Sequence, residues 1–125
     1  MEESDGFYEY VQAWRKRLAD DESRRKMHVV RLREVACACA RRLVEDFGAS
    51  KVYLFGSLVQ ESLVHDRSDI DLAVEGLDGK RYFAALSEIW ALLPQGVELD
   101  LVRLERAWPS LLEHIEAEGE LLDAA

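Results

Sequence analysis

Apolar side chains recur with a helical period through the first 47 residues. Residues 7–47 contain no proline or glycine and are rich in Ala, Arg, Glu and Leu, a composition typical of helix. Val11, Trp14 and Leu18 begin an apolar stripe at three- and four-residue spacing. The same spacing continues further along, at Leu32, Val35, Ala36, Cys39, Leu43 and Phe47. The pattern predicts one long helix or two successive helices, ended by Gly48.

The segment between the two stretches, Asp20 to Lys26, has no apolar member. The helix before it carries too little apolar surface to anchor in a core. We therefore predict a helical arm over residues 1–28 and a folded domain over residues 29–125. The arm either binds a partner or is simply a solvated helix, and the sequence favours neither.

Three later segments have the composition or the alternation of strands. Lys51–Phe55 is β-branched and aromatic between two glycines, and 69–74 and 97–102 alternate apolar with polar residues. A short helix is expected from Ser57 to about His65, another over 80–93 and a last one from Pro109. The core side of these last two helices is predicted to hold Tyr82, Phe83, Leu86, Ile89, Trp90, Leu93, Leu111, Leu112 and Ile115.

This order of elements predicts an α/β fold of the α+β sandwich kind, with a small three- to four-stranded mixed sheet covered by helices. Trp90 and Trp108 are interpreted as core residues. The two cysteines, Cys37 and Cys39, are interpreted as buried reduced thiols, because two residues on a helix point to different faces and cannot readily share a metal or a disulfide.

Charge is unevenly distributed along the chain. The net charge is −9, yet residues 1–50 balance ten basic against ten acidic side chains, whereas residues 51–125 carry six and fifteen. Such an acidic half repels nucleic acid and can hold cations, although solubility alone also explains it. No apolar run is long enough for a bilayer, and the acidic N-terminus is unlike a signal peptide. We expect a cytoplasmic protein with no membrane partner.

Paired carboxylates mark the second predicted strand. Asp69 and Asp71 lie two apart, so both project from one face, and like charges side by side favour a cation between them. Asp100 has the same phase on the third strand, where Glu98 is the alternative on the same face. If the strands are neighbours, the carboxylates converge into a set of hard oxygen ligands suited to Mg²⁺.

A glycine and a serine follow the first strand. Gly56 allows close approach of the backbone to an anion, and the amides at the start of the next helix attract one. The hydroxyl of Ser57 adds a donor. A triphosphate bound between this turn and the carboxylate pair is therefore predicted.

These motifs resemble the signature of the polymerase-β-like nucleotidyltransferase superfamily. The resemblance rests on residues 54–57 (Leu-Phe-Gly-Ser) and 68–74 (Ser-Asp-Ile-Asp-Leu-Ala-Val), and it extends over about residues 30–122. The chain looks most like the minimal nucleotidyltransferase branch. The resemblance implies that Gly56 and Ser57 bind phosphates of ATP. It also implies that Asp69, Asp71 and Asp100 are the catalytic carboxylates and hold two Mg²⁺ ions.

The same resemblance implies a partner. Minimal members of the family are typically antitoxins that add AMP to a tyrosine of a HEPN-domain ribonuclease toxin. Two other functions remain open: an antitoxin that neutralises its partner by contact alone, and an adenylyltransferase of small molecules, whose members usually have a second, helical domain. The segment from Leu58 to Ser68 has eleven residues, where the family usually has about ten, and we expect the loop to absorb the extra residue.

Overall fold

A computed structural model describes residues 2–59 and 69–125, with side chains from residue 6 onward. Its first element is a single helix, α1, over Glu2–Phe47, about 69 Å long at 1.5 Å per residue. The helix continues through the charged segment, where Asp21 pairs with Arg24 and Glu22 with Lys26 one turn apart. Such pairs support helix without tertiary packing, and the chain turns at Gly48, whose φ is +73°.

The two halves of α1 differ in burial. From Gly6 to Met27 every side chain is exposed except the half-buried Val11, and Val29 is the first buried residue. The exposed half carries large apolar side chains at helical spacing, namely Phe7, Tyr10, Trp14 and Leu18. The N-terminal half of α1 therefore extends beyond the core with an uncovered apolar stripe.

Four strands form one mixed sheet. They are β1 (Lys51–Phe55), β2 (Ile70–Glu75), β3 (Leu99–Arg103) and β4 (Glu120–Ala124). Their spatial order is β3-β2-β1-β4, with β2 and β3 parallel and the other pairs antiparallel. The predicted small mixed sheet is thus confirmed, and the central position of β1 and β2 explains their apolar composition.

Two further helices lie in the described part of the chain. They are α2 (Tyr82–Trp90) and α3 (Pro109–Glu118), and single 3₁₀ turns cover Gly56–Leu58, Gly79–Arg81 and Leu104–Arg106. The helix predicted over 80–93 is therefore shorter at both ends. The helix predicted from Ser57 to about His65 begins as the first of these turns, and its remainder lies outside the described residues.

The main core lies between one face of the sheet and the helices α1 and α2. Fully buried side chains from all these elements meet there, among them Leu32, Leu43, Val52, Leu54, Leu72, Ile89 and Leu101. The buried Cys39 thiol lies 3.7 Å from the carbonyl oxygen of Ile89, and its burial raises the thiol pKa to about 11. Helix α3 covers part of the opposite face, where its buried Ile115 borders a cleft with Tyr53.

Several predicted core residues are exposed. Phe83 and Trp108 are each nearly four-fifths exposed, Trp90 is about half exposed, and Cys37 is also exposed. In α2 only Ala85 and Ile89 are fully buried, because a helix lying on one layer presents a narrow stripe to it. Trp90 follows Ile89 directly and so points about 100° away from that stripe.

The strand β4 is absent from the sequence prediction. Its five residues, Glu-Leu-Leu-Asp-Ala, do not alternate, and its position depends on antiparallel pairing with β1 across most of the chain. Within the described residues, none of the helices combines the length and the apolarity that crossing a membrane requires.

Candidate active site

Strand register brings the predicted carboxylates together. Asp71 pairs directly with Asp100 across the parallel strands β2 and β3. Asp69 precedes β2 by one residue and shares the face of Asp71. Leu72 and Leu101, next along each strand, are buried on the opposite face. Alternation therefore places apolar residues in the core and the three acids on the sheet face away from α1 and α2.

The charge on Asp71 is disfavoured by its surroundings. Burial, followed by the negative charges of Asp100 and then Asp69, raises the pKa of this carboxyl from 3.8 to about 6. Two neighbouring carboxylates that act on a third one in this way are an unfavourable arrangement for stability alone. The arrangement is typical of sites that receive a cation or a proton.

The turn after β1 lies beside these acids. Phe55, the last residue of β1, pairs with Asp71, so Gly56 and Ser57 follow at the end of β2 where Asp69 lies. Gly56 has φ +78°, and a Cβ added there would overlap Oδ2 of Asp71. This position therefore requires glycine for two reasons. The backbone has a conformation that disfavours other residues, and the Asp71 carboxylate occupies the space that a Cβ would take.

Arg33, which the sequence patterns did not identify, forms a hydrogen bond with the end of this turn. Leu58, the last residue of the turn, is fully buried, and its carbonyl oxygen accepts a hydrogen bond of 3.2 Å from Nη1 of Arg33. Nη2 of Arg33 donates to both carboxylate oxygens of Glu120, at 2.6 and 2.5 Å. One side chain therefore links α1, the glycine turn and β4. These partners lie 25 and 87 residues from Arg33, so no local sequence signal could identify the contact.

Tyr82, the first residue of α2, connects this helix to the edge strand β3 next to Asp100. Its hydroxyl donates a 2.6 Å hydrogen bond to the carbonyl oxygen of Leu101. Burial and the charge of Asp100 raise the pKa of Tyr82, so the hydroxyl stays protonated and remains a donor. Glu98, the alternative third acid, lies before β3, whereas Asp100 is the residue directly opposite Asp71.

Two properties decide whether these residues fit a metal ion: how closely they are grouped and which donor atoms they carry. In the parts of the chain that the structure describes, no three carboxylate, thiol or imidazole side chains are grouped closely enough to hold an ion as they stand. The chemistry of the donors does fit, because Asp69, Asp71 and Asp100 are hard oxygen ligands whose mutual repulsion raises the pKa of Asp71. The three acids are therefore neighbours that have not converged on one point.

The chain is similar to known proteins in sequence and in fold. Residues 37–124 match the family described as Polymerase beta, Nucleotidyltransferase. Among solved structures, a chain of a toxin–antitoxin complex with AMP-PNP is 28% identical, with a TM-score of 0.58 over 71% of this chain and 73% of that one. A chain of a mutant MntA–HepT toxin–antitoxin complex is 27% identical, with a TM-score of 0.54 over 67% and 69%.

A more distant structure shares the fold. A putative nucleotidyltransferase from Sulfolobus solfataricus is 17% identical, with a TM-score of 0.50 over 78% of this chain and 84% of that one. A comparison with curated proteins returned no match. The matched residues 37–124 include all four strands and every predicted site residue.

Proposed function

Because this chain belongs to the polymerase β nucleotidyltransferase family, we propose that it transfers AMP from ATP to a hydroxyl of a partner protein. The partner we propose is a HEPN-domain toxin, which makes this chain its antitoxin. The observation that carries the proposal is the direct pairing of Asp71 with Asp100 beside a turn in which Gly56 leaves room for the Asp71 carboxylate.

Each residue of the site has a role in this reaction. The backbone amides at Gly56 and Ser57, with the serine hydroxyl, bind the β- and γ-phosphates. Asp69, Asp71 and Asp100 hold the divalent ions, for which we propose two Mg²⁺. Bound ions of this kind neutralise charge on the phosphates and favour ionisation of an attacking hydroxyl.

Asp100 lies on the edge strand β3 and is exposed, so an acceptor from another protein can reach it. Its carboxylate is suited to accept the proton of the attacking hydroxyl, which then attacks the α-phosphorus while pyrophosphate leaves. The similar toxin–antitoxin structure with AMP-PNP, an ATP analogue, supports both the nucleotide and the kind of partner.

The test is transfer of label from α-labelled ATP. The chain is incubated with Mg²⁺ and the HEPN-domain protein proposed as its partner, and a second reaction uses the Asp69→Asn/Asp71→Asn variant. We expect label on the HEPN protein with the wild-type chain only. Equal labelling by the variant, or labelling of neither protein by a folded wild-type chain that binds its partner, would contradict the proposal.

A contact-only antitoxin is the second candidate. It is favoured by one observation, namely that the described acids have not converged on a point that could hold a metal. Under this alternative the Asp69→Asn/Asp71→Asn variant neutralises the toxin as well as the wild type. Growth of toxin-expressing cells with either version separates the two functions, because our proposal expects rescue by the wild type alone.

Arg33 provides a prediction away from the acids. Replacing it by alanine removes the hydrogen bond to the Leu58 carbonyl and both bonds to Glu120. A hydrogen bond to a charged group contributes about 1.5–3 kcal/mol, so loss of the bond to the Leu58 carbonyl alone is expected to raise the KM for ATP roughly tenfold. The kcat should change less, because Arg33 touches none of the three acids.

The matched control is Arg41→Ala, which removes an exposed arginine of the same helix with the same loss of charge. It should leave the KM for ATP unchanged. A tenfold effect in both variants would attribute the change to charge rather than to the turn. An unchanged KM in Arg33→Ala would show that the turn keeps its conformation without the arginine.

A further inference from the structure

A second cleft lies on the other side of β3 from the three acids. It has a volume of about 320 Å³ and is lined by Gly79, Tyr82, Phe83, Leu101, Arg103 and Arg106. Leu101 and Arg103 alternate with Asp100 along β3, so they face the helical side of the sheet. At about 3.3 Å per strand residue, Arg103 lies roughly 10 Å along β3 from Asp100. The cleft is therefore separate from the candidate active site but close to it.

Among the residues that the structure describes, the two arginines of this cleft have no acidic partner. In the described residues neither guanidinium takes part in an ion pair or a hydrogen bond, and the Nε of Arg103 is buried without an acceptor. Two acids adjoin lining residues in sequence and bind backbone amides: Glu105, beside Arg106, accepts from the amide of Gly76 at 2.7 Å, and Asp78, beside Gly79, accepts from the amide of Lys80 at 2.9 Å. A buried donor without an acceptor is costly, and two guanidinium groups with no acidic partner in the described residues favour an anion.

The charge of this region contrasts with the rest of the domain. Of the six basic residues in the acidic half of the chain, four lie at positions 80, 81, 103 and 106. Gly79 lets the Arg103 guanidinium lie close to the backbone, since a Cβ there would approach its Nη1 to 2.8 Å. Of these four basic residues, Arg103 and Arg106 line the cleft, whereas Arg81 contacts the carbonyl oxygen of Asp46 and the ring of Phe47 at the end of α1. Two positive charges thus line the cleft, on a protein whose net charge is −9.

The lining of the cleft is partly apolar and aromatic. The rings of Tyr82 and Phe83 lie edge to face, with centroids 5.3 Å apart, and Phe83 is nearly four-fifths exposed. An exposed phenylalanine in a cleft that two arginines also line fits a ligand that combines a carboxylate with an apolar group. The overall negative charge opposes a long polyanion such as RNA, because its many phosphates would be repelled by the remaining surface.

We infer that this cleft binds an acidic peptide segment of the acceptor protein, with a glutamate or aspartate carboxylate on Arg103 and Arg106 and an apolar side chain against Phe83. The inference rests on the proposed function in assigning the segment to the acceptor. Because β3 is an edge strand, a segment that crosses it from the cleft reaches Asp100 within a few residues. The cleft thereby selects acceptors whose modified hydroxyl has an acidic residue nearby in sequence.

The inference is tested first without any acceptor protein. The probe is a short synthetic peptide with two glutamates followed by leucine, titrated into the ¹⁵N-labelled chain. We expect shifts of the amide signals of residues lining the cleft. The affinity should fall about tenfold in Arg106→Gln, since one charge-assisted pair lost corresponds to roughly 1.4 kcal/mol. The control Lys51→Gln makes the same charge change on β1 and should bind like the wild type.

Two further probes complete the titration. A peptide with glutamines in place of the glutamates should not bind, and an oligouridylate should bind no more tightly than it does to Arg106→Gln. Equal binding of both peptides, or tighter arginine-dependent binding of the oligouridylate, would overturn the inference. These outcomes do not depend on catalysis, so they remain readable if the chain transfers no nucleotide.

A kinetic experiment then connects the cleft to the reaction. With the HEPN protein as acceptor, Arg106→Gln and Phe83→Ala should each raise the KM for the acceptor about tenfold and leave the KM for ATP unchanged. Both side chains are exposed, so the variants are expected to fold. An unchanged KM for the acceptor in both variants would contradict the assignment of the segment to the acceptor.

Discussion

Replacing Asp71 by asparagine is expected to abolish nucleotidyl transfer and yet make the metal-free protein more stable at pH 8. Transfer should fall at least ~10³-fold, because a lost ligand removes several kcal/mol of charge stabilisation from the transition state. The gain in stability has a separate origin. Burial and the charges of Asp100 and Asp69 raise the pKa of Asp71 from 3.8 to about 6, so the folded state binds this proton more tightly than the unfolded state.

The pH dependence follows from that direction. A group whose pKa is raised on folding costs stability once it must ionise, so the free energy of unfolding falls as pH rises from about 4 to about 6. Asparagine cannot ionise and avoids this cost. After allowance for solvent screening, we expect a gain of about 1–2 kcal/mol at pH 8 and little gain at pH 4.

Thermal unfolding in EDTA at the two pH values measures the effect. The matched control is Asp20→Asn on the exposed half of α1, which should change the melting temperature at neither pH. A lower melting temperature for Asp71→Asn at pH 8 would mean that the carboxylate stabilises the fold. That outcome would contradict the interpretation of Asp71 as a residue retained for its chemistry at a cost in stability.

Gly56→Ala is the second change with a large expected effect. Its φ of +78° disfavours any residue with a Cβ, and the added carbon would overlap Oδ2 of Asp71. We expect transfer to fall at least ~100-fold, because the turn and the carboxylate cannot both keep their positions. The free energy of unfolding should fall by about 1–3 kcal/mol.

Gly96→Ala is the matched control for this change. Gly96 has φ +84°, and an added Cβ would meet nothing within 4 Å. It should therefore lose about 1 kcal/mol of stability from the same backbone conformation and keep full transfer activity. If the two alanine variants lost transfer equally, the overlap with Asp71 would have no bearing on the site. Activity assays and chemical denaturation of both variants give the comparison.

The arrangement of the acids could be predicted from sequence because strand alternation fixes which face each residue occupies. To predict that Asp69, Asp71 and Asp100 share one face, it was enough to know this alternation and to assume that β2 and β3 are neighbours. The register confirms the pairing of Asp71 with Asp100. Their assignment as metal ligands and catalytic residues, and that of Gly56 and Ser57 as phosphate-binding residues, stays a prediction.

Other parts depended on long-range packing that no local pattern encodes. The strand β4 lies beside β1 through pairing between residues about 70 positions apart, and Arg33 meets Glu120 over a longer separation. The apolar character of Trp90 and Trp108 predicts a place in the core. Both are exposed, because a small domain has little interior volume. Apolar character alone thus overstates burial in a fold of this size.

The sequence also could not decide whether α1 is one continuous helix or two helices. The charged segment from Asp20 to Lys26 suggested a break as readily as a solvated helix, because pairs such as Asp21–Arg24 favour helix without any apolar contact. The structure has one helix, with its N-terminal half exposed. The division into an arm over residues 1–28 and a domain over 29–125 stays a prediction.

Calorimetric titration of ATP tests the central claim most directly, since the three acids and the glycine turn must together form one site for metal and nucleotide. We predict that the wild-type chain binds ATP at least ~100-fold more tightly with Mg²⁺ than with EDTA, and that Asp71→Asn removes this dependence on Mg²⁺. Binding of ATP with the same affinity in all four combinations would contradict the account, because the acids would then play no part in holding the nucleotide.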